Sequence, residues 1–182
     1  MFEVISYVNF NFRIVMSSKI LSRNVFSEKS ISCDINTLWE VVSSPSSLEL
    51  FHPFCKKNKI IRWSNEKSID QIEYLNGLIF EREFFEWEDY KGYKLYIHQI
   101  GKPKSRVSWK IQSDNDRSII NISVSPYLFN SGHKVLNVIP YYIFTRPFLS
   151  SYLDSVTSGL KYYLEQGKVV SKNQFGSHIW FS

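Results

Sequence analysis

The chain contains no alanine in 182 residues, while Ile, Lys, Asn, Phe, Tyr and Ser abound. That bias looks like drift toward AT-rich codons, which raises lysine without any partner requiring it. Cysteine is nearly as scarce, with Cys33 and Cys55 alone. Two cysteines make no disulfide framework and sit in no metal-ligand spacing, so the simple reading is reduced thiols in a cytoplasmic protein. No run of about 18 apolar residues occurs, so no transmembrane segment is expected. The apolar opening through Val15 is interrupted by Asn9, Asn11 and Arg13. It lacks a basic lead-in and a small-residue cleavage site, which argues against a secretory signal. Residues 1–23 therefore read as an N-terminal extension, either an extra strand or an over-extended start before the more ordinary opening at Met16.

Catalytic signatures are missing too. His52, His98, His133 and His178 fall in no H-E-x-x-H or other metal spacing, and there is no G-x-S-x-G and no phosphate-cradling glycine loop. Asp114-Asn115-Asp116 lacks the glycine and terminal glutamate of a calcium loop and reads as a solvated turn. No metal or organic cofactor is expected. The net charge of +5 raises the question of a nucleic-acid partner. Its densest basic group, Lys56, Lys57, Lys59 and Arg62, is short and broken by Asn58 and two isoleucines. Nucleic acid needs a clustered basic face, so none is expected as a partner.

What is present is a globular composition: 43% hydrophobic residues and 16% aromatic against 21% charged. The length fits one domain with its own core. Asn24 to Ser32 alternates modestly, as a strand does. Ile35, Leu38, Trp39 and Val42 then fall at i, i+3, i+4 and i+7, one face of a helix capped by Asp34 or Asn36 and ended by Pro45. A second helical turn through Leu48 and Leu50 leads to His52-Pro53.

Between Lys59 and Val124 the pattern is an antiparallel meander. Strands are expected at Ile60–Trp63, Ile69–Leu75, Leu78–Glu88, Tyr93–Ile100, Arg106–Gln112 and Ile119–Ser125. Asn76-Gly77 reads as the two central residues of a type I′ hairpin. Leu149, Tyr152, Leu153, Val156, Leu160, Tyr163 and Leu164 then form one apolar stripe over more than four helical turns. Pro147 suits the first turn with Thr145 as cap, and Gly167 suits the stop.

The order of strand, two short helices, antiparallel meander and long terminal helix resembles the SRPBCC superfamily. That group includes START lipid-transfer domains and polyketide cyclase/dehydrase-like proteins. Ile35-Asn36-Thr37-Leu38-Trp39-Glu40-Val41-Val42 with Ser44-Pro45 is similar to its first helix, and His52-Pro53 to a following His-Pro. Tyr74-Leu75-Asn76-Gly77 resembles its hairpin and Gly159-Leu160-Lys161-Tyr162-Tyr163-Leu164 its last helix. The likeness covers residues 24–167, with residues 168–182 as a tail packing on that domain. The proline usual before the first helix is replaced, and residues 1–23 have no counterpart. The resemblance implies an α+β helix-grip fold, with a curved antiparallel sheet of about six to seven strands wrapped around the long helix. It also implies an internal cavity for a lipid, isoprenoid or polyketide, which the aromatic side chains either line or fill.

The candidate ligand-binding residues are His52, Arg82, Phe84, Tyr96, His98, Trp109, Ile122, Tyr152, Val156 and Leu160. Arg82, between Phe80 and Phe84, is a candidate buried polar anchor. His98 shares a strand face with Lys94 and Tyr96. It is a weak catalytic candidate if that face looks inward, and an ordinary surface histidine otherwise. His52 either meets a ligand head group or steadies the turn at Pro53, while Trp39 and Trp109 suit the core.

The leading function is binding, and on one reading transport, of a hydrophobic small molecule. A cyclase or dehydratase using the same cavity is the alternative, as is a protein-interaction module built on Leu136–Phe144 and the aromatic tail. That stretch leaves room for transient membrane-surface contact, although two prolines interrupt a continuous amphipathic helix there.

Overall fold

The computed structural model describes residues 23–128 and 137–182. The N-terminal extension apart from Arg23, and also His133 and Leu136, lie outside them. Seven strands form one antiparallel sheet: β1 (Val25–Ile31), β2 (Cys55–Arg62), β3 (Ile69–Tyr74), β4 (Ile79–Glu88), β5 (Gly92–His98), β6 (Ser105–Asp114) and β7 (Arg117–Ser125). Their spatial order is β1-β7-β6-β5-β4-β3-β2, so β1 closes the far edge of the meander by pairing with β7, Val25 opposite Val124. Helices α1 (Ile35–Ser43) and α2 (Leu48–Phe51) connect β1 to β2, and α3 (Val138–Pro140) leads through a π turn into α4 (Arg146–Gln166). This is the helix-grip architecture, a curved sheet holding one long helix.

Local chemistry explains these elements. Asp34 is the α1 cap, its Oδ1 accepting the N–H groups of Asn36 and Thr37 at 2.8 and 2.9 Å. Leu38, Trp39 and Val42 are buried on the inner face of α1. Trp39 packs edge-on against Trp87 with ring centroids 5.5 Å apart. On α4, Leu149, Leu153, Val156 and Leu160 are buried. Polar links hold the helix along β1: Ser27 to Thr157 at 2.9 Å, Lys29 to Asp154 at 2.8 Å and Lys161 to the Ser30 carbonyl at 2.7 Å. Gly167 ends it in the left-handed region at φ 65°, donating to the Tyr163 carbonyl.

Three local expectations are corrected. The β3–β4 hairpin is not a type I′ turn on Asn76-Gly77. The Gly77 N–H bonds the Tyr74 carbonyl at 3.0 Å, and Gly77 has φ 84° while Leu75 and Asn76 stay at negative φ. The loop is thus Leu75-Asn76-Gly77, a tight turn followed by a left-handed glycine that sets Tyr74 opposite Leu78. Thr145 does not cap α4, because the helical backbone continues upstream through Tyr141–Thr145 as a π turn. The prolines do not break that path. Pro140 lies in the first turn of α3, where an N–H would have no helical partner, and the wider π turn immediately precedes Pro147. Finally, β2 begins at Cys55, five residues before the expected Ile60.

Candidate functional site: a cavity between sheet and helix

Alternation along the strands decides which side chains look toward α4. From β3 come Ile72 and Tyr74, from β4 Phe80 and Arg82, from β5 Leu95 and Ile97, from β6 Val107 and Trp109, and from β7 Ile122 and Val124. Leu149, Tyr152, Leu153 and Val156 of α4 face them, with Leu48 of α2 and His52 just after it. The partly open cavity has a volume of about 480 Å³. That lies within the usual range for small-molecule sites, and its lining is overwhelmingly apolar, as such sites are. Its mouth is edged by Leu78, Tyr127, Leu128 and Ile179, all exposed apolar side chains.

His52, Tyr74, Arg82 and Tyr152 make one polar wall of the cavity, whose lining also includes Asn76, Ser105 and Thr145. Arg82 and Asp70 stand directly opposite each other across β3 and β4. Arg82 Nε donates to one Asp70 oxygen at 2.7 Å and an Nη donates to the other. Arg82 is 6% exposed and Asp70 fully buried, so the pair lies out of bulk water. Burial works against the Arg82 charge, but the Asp70 carboxylate more than offsets this and its pKa is raised. Bidentate geometry suits the planar guanidinium.

Next to this pair runs a short chain of hydrogen bonds. The Phe54 N–H donates to His52 Nδ1 at 3.2 Å, His52 Nε2 meets Tyr152 Oη at 2.9 Å, and Tyr152 Oη meets Tyr74 Oη at 3.0 Å. Because Nδ1 is an acceptor, His52 is neutral and carries its proton on Nε2. Burial, reinforced by the nearby Arg82 charge, pushes its pKa down to about 3. Burial likewise raises the pKa of both phenols, so they stay protonated. The wall offers hydrogen-bond donors, and its one imidazole has no free basic nitrogen. Cys55 is no nucleophile either, since burial pushes its thiol up to about 12.

Of the ten candidates from the sequence, six meet at this cavity: His52, Arg82, Trp109, Ile122, Tyr152 and Val156. Phe84 and Leu160 are buried elsewhere. Phe84 packs among Trp63, Trp87 and Tyr93 beyond the cavity, and Leu160 is fully buried in the core. Tyr96 and His98 are on the opposite face of the sheet, because Tyr93, Leu95 and Ile97 take the inward positions of β5. Tyr96 stacks on Phe85 at 4.5 Å. His98 meets Glu83 at 2.8 Å, so the general acid–base role considered for it has no access to the cavity. Glu81, Glu83 and His98 are the only group, among the described residues, whose ligand-type atoms lie within 4.8 Å of one another in a metal-like cluster. Lys104 already engages both Glu83 oxygens, at 2.7 and 2.6 Å.

Sequence reasoning packed the tail on the domain but did not name Tyr74, Trp180 or Phe181 as cavity residues. Trp180 and Phe181 line the cavity, and Phe181 stacks on Tyr74 with centroids 4.2 Å apart. The tail is held there by the Val170 N–H on the Leu50 carbonyl, Asn76 on the Trp180 carbonyl and His178 Nε2 on the Phe148 carbonyl.

No known family model and no curated protein matches the chain. Solved structures do. DynU16, a putative protein in the dynemicin biosynthetic locus, aligns at 16% identity and TM-score 0.61 over 80% of this chain and 48% of its own. The chain thus spans about half of that relative. The hypothetical protein jhp0584 from Helicobacter pylori aligns at 18% identity and TM-score 0.60 over 78% of this chain and 88% of its own. The Aha1 dimer from Colwellia psychrerythraea aligns at 13% and TM-score 0.55, over 80% and 98%. These neighbours include Aha1-like and polyketide cyclase-like proteins of the SRPBCC helix-grip superfamily, and at such identities the likeness shows a shared fold alone.

Proposed function

We propose that this protein binds an apolar small molecule, lipid-, isoprenoid- or polyketide-like, in the cavity between the sheet and α4. One observation carries the reading: a cavity of about 480 Å³ is lined mostly by apolar side chains. A solid core would close that space, since interiors pack at a density near 0.74–0.76. The exposed apolar rim of Leu78, Tyr127, Leu128 and Ile179 supports entry of a water-insoluble compound. Binding is favoured over cyclase or dehydratase chemistry by the polar wall itself. Such chemistry needs a convergent acid and base. Among the described residues the donors have no partner base, and His98 is on the far face.

The test is native mass spectrometry of gently purified protein, joined to titration with the apolar dye 1-N-phenylnaphthylamine. A co-purified apolar compound, or saturable dye binding that such compounds displace, is expected. A clean apo mass together with no dye binding would overturn the reading.

A further inference from the structure

The polar wall has more hydrogen-bond donors than acceptors, and the difference says what the occupant must supply. His52 Nδ1 accepts the Phe54 N–H, which leaves the imidazole hydrogen on Nε2. That hydrogen and the two phenolic hydrogens of Tyr152 and Tyr74 form a chain with only two links, at 2.9 and 3.0 Å. An open chain of three donors joined by two bonds leaves one hydrogen over. If Tyr74 donates to Tyr152, the Tyr152 hydrogen is spare; if Tyr152 donates, the Tyr74 hydrogen is. No other acceptor for either phenol is found among the described residues. Both phenols line the cavity, so the spare hydrogen is offered to its occupant.

Charge narrows the class further. Among the described residues Arg82 is the only charged side chain lining the cavity, and Asp70, buried beside it, offsets its charge through two hydrogen bonds. A carboxylate head would bring an uncompensated negative charge into this neutral, water-poor wall. An ammonium head would bring an equally uncompensated positive charge into the same wall, beside Arg82.

We propose that the occupant is a neutral molecule whose apolar body ends in an oxygen acceptor, a carbonyl or ether, hydrogen-bonded by the spare phenolic hydrogen of the Tyr74–Tyr152 pair. This rests on the pocket reading above and adds the polarity and charge of the ligand's head.

The experiment uses the full chain and displacement of 1-N-phenylnaphthylamine by four compounds of matched length: nonan-2-one, nonane, nonanoate and nonylammonium. The ratio of nonan-2-one to nonane affinity should exceed their ratio in water-to-hexane partition by at least about tenfold, the scale of one buried hydrogen bond. Nonanoate and nonylammonium should be weaker than the ketone at neutral pH. The carbonyl stretch of the bound ketone should move to lower wavenumber than in nonane solution. In the Tyr74→Phe/Tyr152→Phe double variant the ratio of ketone to nonane affinity should fall about tenfold. A ketone-to-nonane affinity ratio no greater than their ratio in water-to-hexane partition, tighter binding of nonanoate or nonylammonium than of the ketone, or an undiminished ketone-to-nonane ratio in the double variant would each overturn this inference and leave the pocket reading standing. Failure of the dye and all four compounds to bind would overturn both.

Discussion

Asp70 and Arg82 are complementary residues that the meander pattern alone does not bring together. Their pairing depends on the hairpin loop. A two-residue turn at Asn76-Gly77 would set Leu75 opposite Leu78 and Asp70 opposite Glu83, two like charges in register. The observed loop at Leu75-Asn76-Gly77 slips the register by one residue and puts Asp70 opposite Arg82. Turn chemistry was legible in the sequence, but choosing between two glycine-containing loops needed the buried ion pair to be weighed as well. Removing one partner leaves the other charged and buried, at a cost of about 3–5 kcal/mol. Asp70→Ala should lower unfolding stability by that amount in urea titrations, and Asp70→Ala/Arg82→Met should recover part of it. A loss below about 1 kcal/mol would mean that Arg82 reaches water in the native state. His52 yields a prediction of its own. In the unfolded chain its pKa is near the ordinary 6.5, whereas in the fold it is down at about 3. Between these values the unfolded state binds a proton that the native state does not. Stability contributed by neutral His52 is therefore complete above about pH 6.5 and is lost as pH falls toward 3, at up to about 1.4 kcal/mol per pH unit. Buried His178, also shifted down, acts in the same direction. The comparison that isolates His52 is therefore with His52→Gln, whose stability should fall less steeply from pH 6 to pH 4. Parallel curves for the two proteins would argue against a neutral buried His52.

Among the elements, α4 was the most legible, because its stripe has the helical period over its whole length and four of the stripe residues are buried. Its beginning was not, since a π turn is invisible to a periodicity argument and Thr145 looks like an ordinary cap. Gly159 shows another limit. A glycine inside a helix costs about 1 kcal/mol relative to alanine, so its presence invites an explanation in terms of close approach to the sheet or to a ligand. The close approach is real, but its partner is neither. A Cβ at position 159 would stand 2.1 Å from the Phe51 carbonyl oxygen and 3.3 Å from the Pro53 ring. The glycine lets α2 lie against α4, which carries His52 to the cavity wall. Gly159→Ala should therefore destabilise the protein by about 1–3 kcal/mol despite the better helix former. A gain in thermal stability would show that α2 moves aside freely. The tail was the least legible element: its residues lack any period, and what holds them is hydrogen bonds and ring stacking with partners distant in sequence.

For the whole molecule the question is whether the space between sheet and helix is available to a guest. Val156 and Leu160 separate the answers, because they lie one turn apart on the same face of α4 and differ in what they meet. Val156 is 2% exposed and borders the cavity, whereas Leu160 is fully buried where the core is closed. Added bulk at Val156 has empty volume to enter. At Leu160 it has none, and overpacking typically costs about 1–3 kcal/mol. Val156→Trp should fold with an unfolding free energy within about 1.5 kcal/mol of the parent, as a tolerated core change does. Its affinity for 1-N-phenylnaphthylamine should fall at least about tenfold, because the indole takes the guest's place. Leu160→Trp should do the reverse, losing stability while what remains folded binds dye with parental affinity. The two variants together decide what either alone does not, since a general weakening of the fold would move stability and binding together in both. If Val156→Trp is as unstable as Leu160→Trp and dye binding is unchanged in each, the cavity is not the dye site and the apolar rim at Tyr127 and Ile179 becomes the place to look.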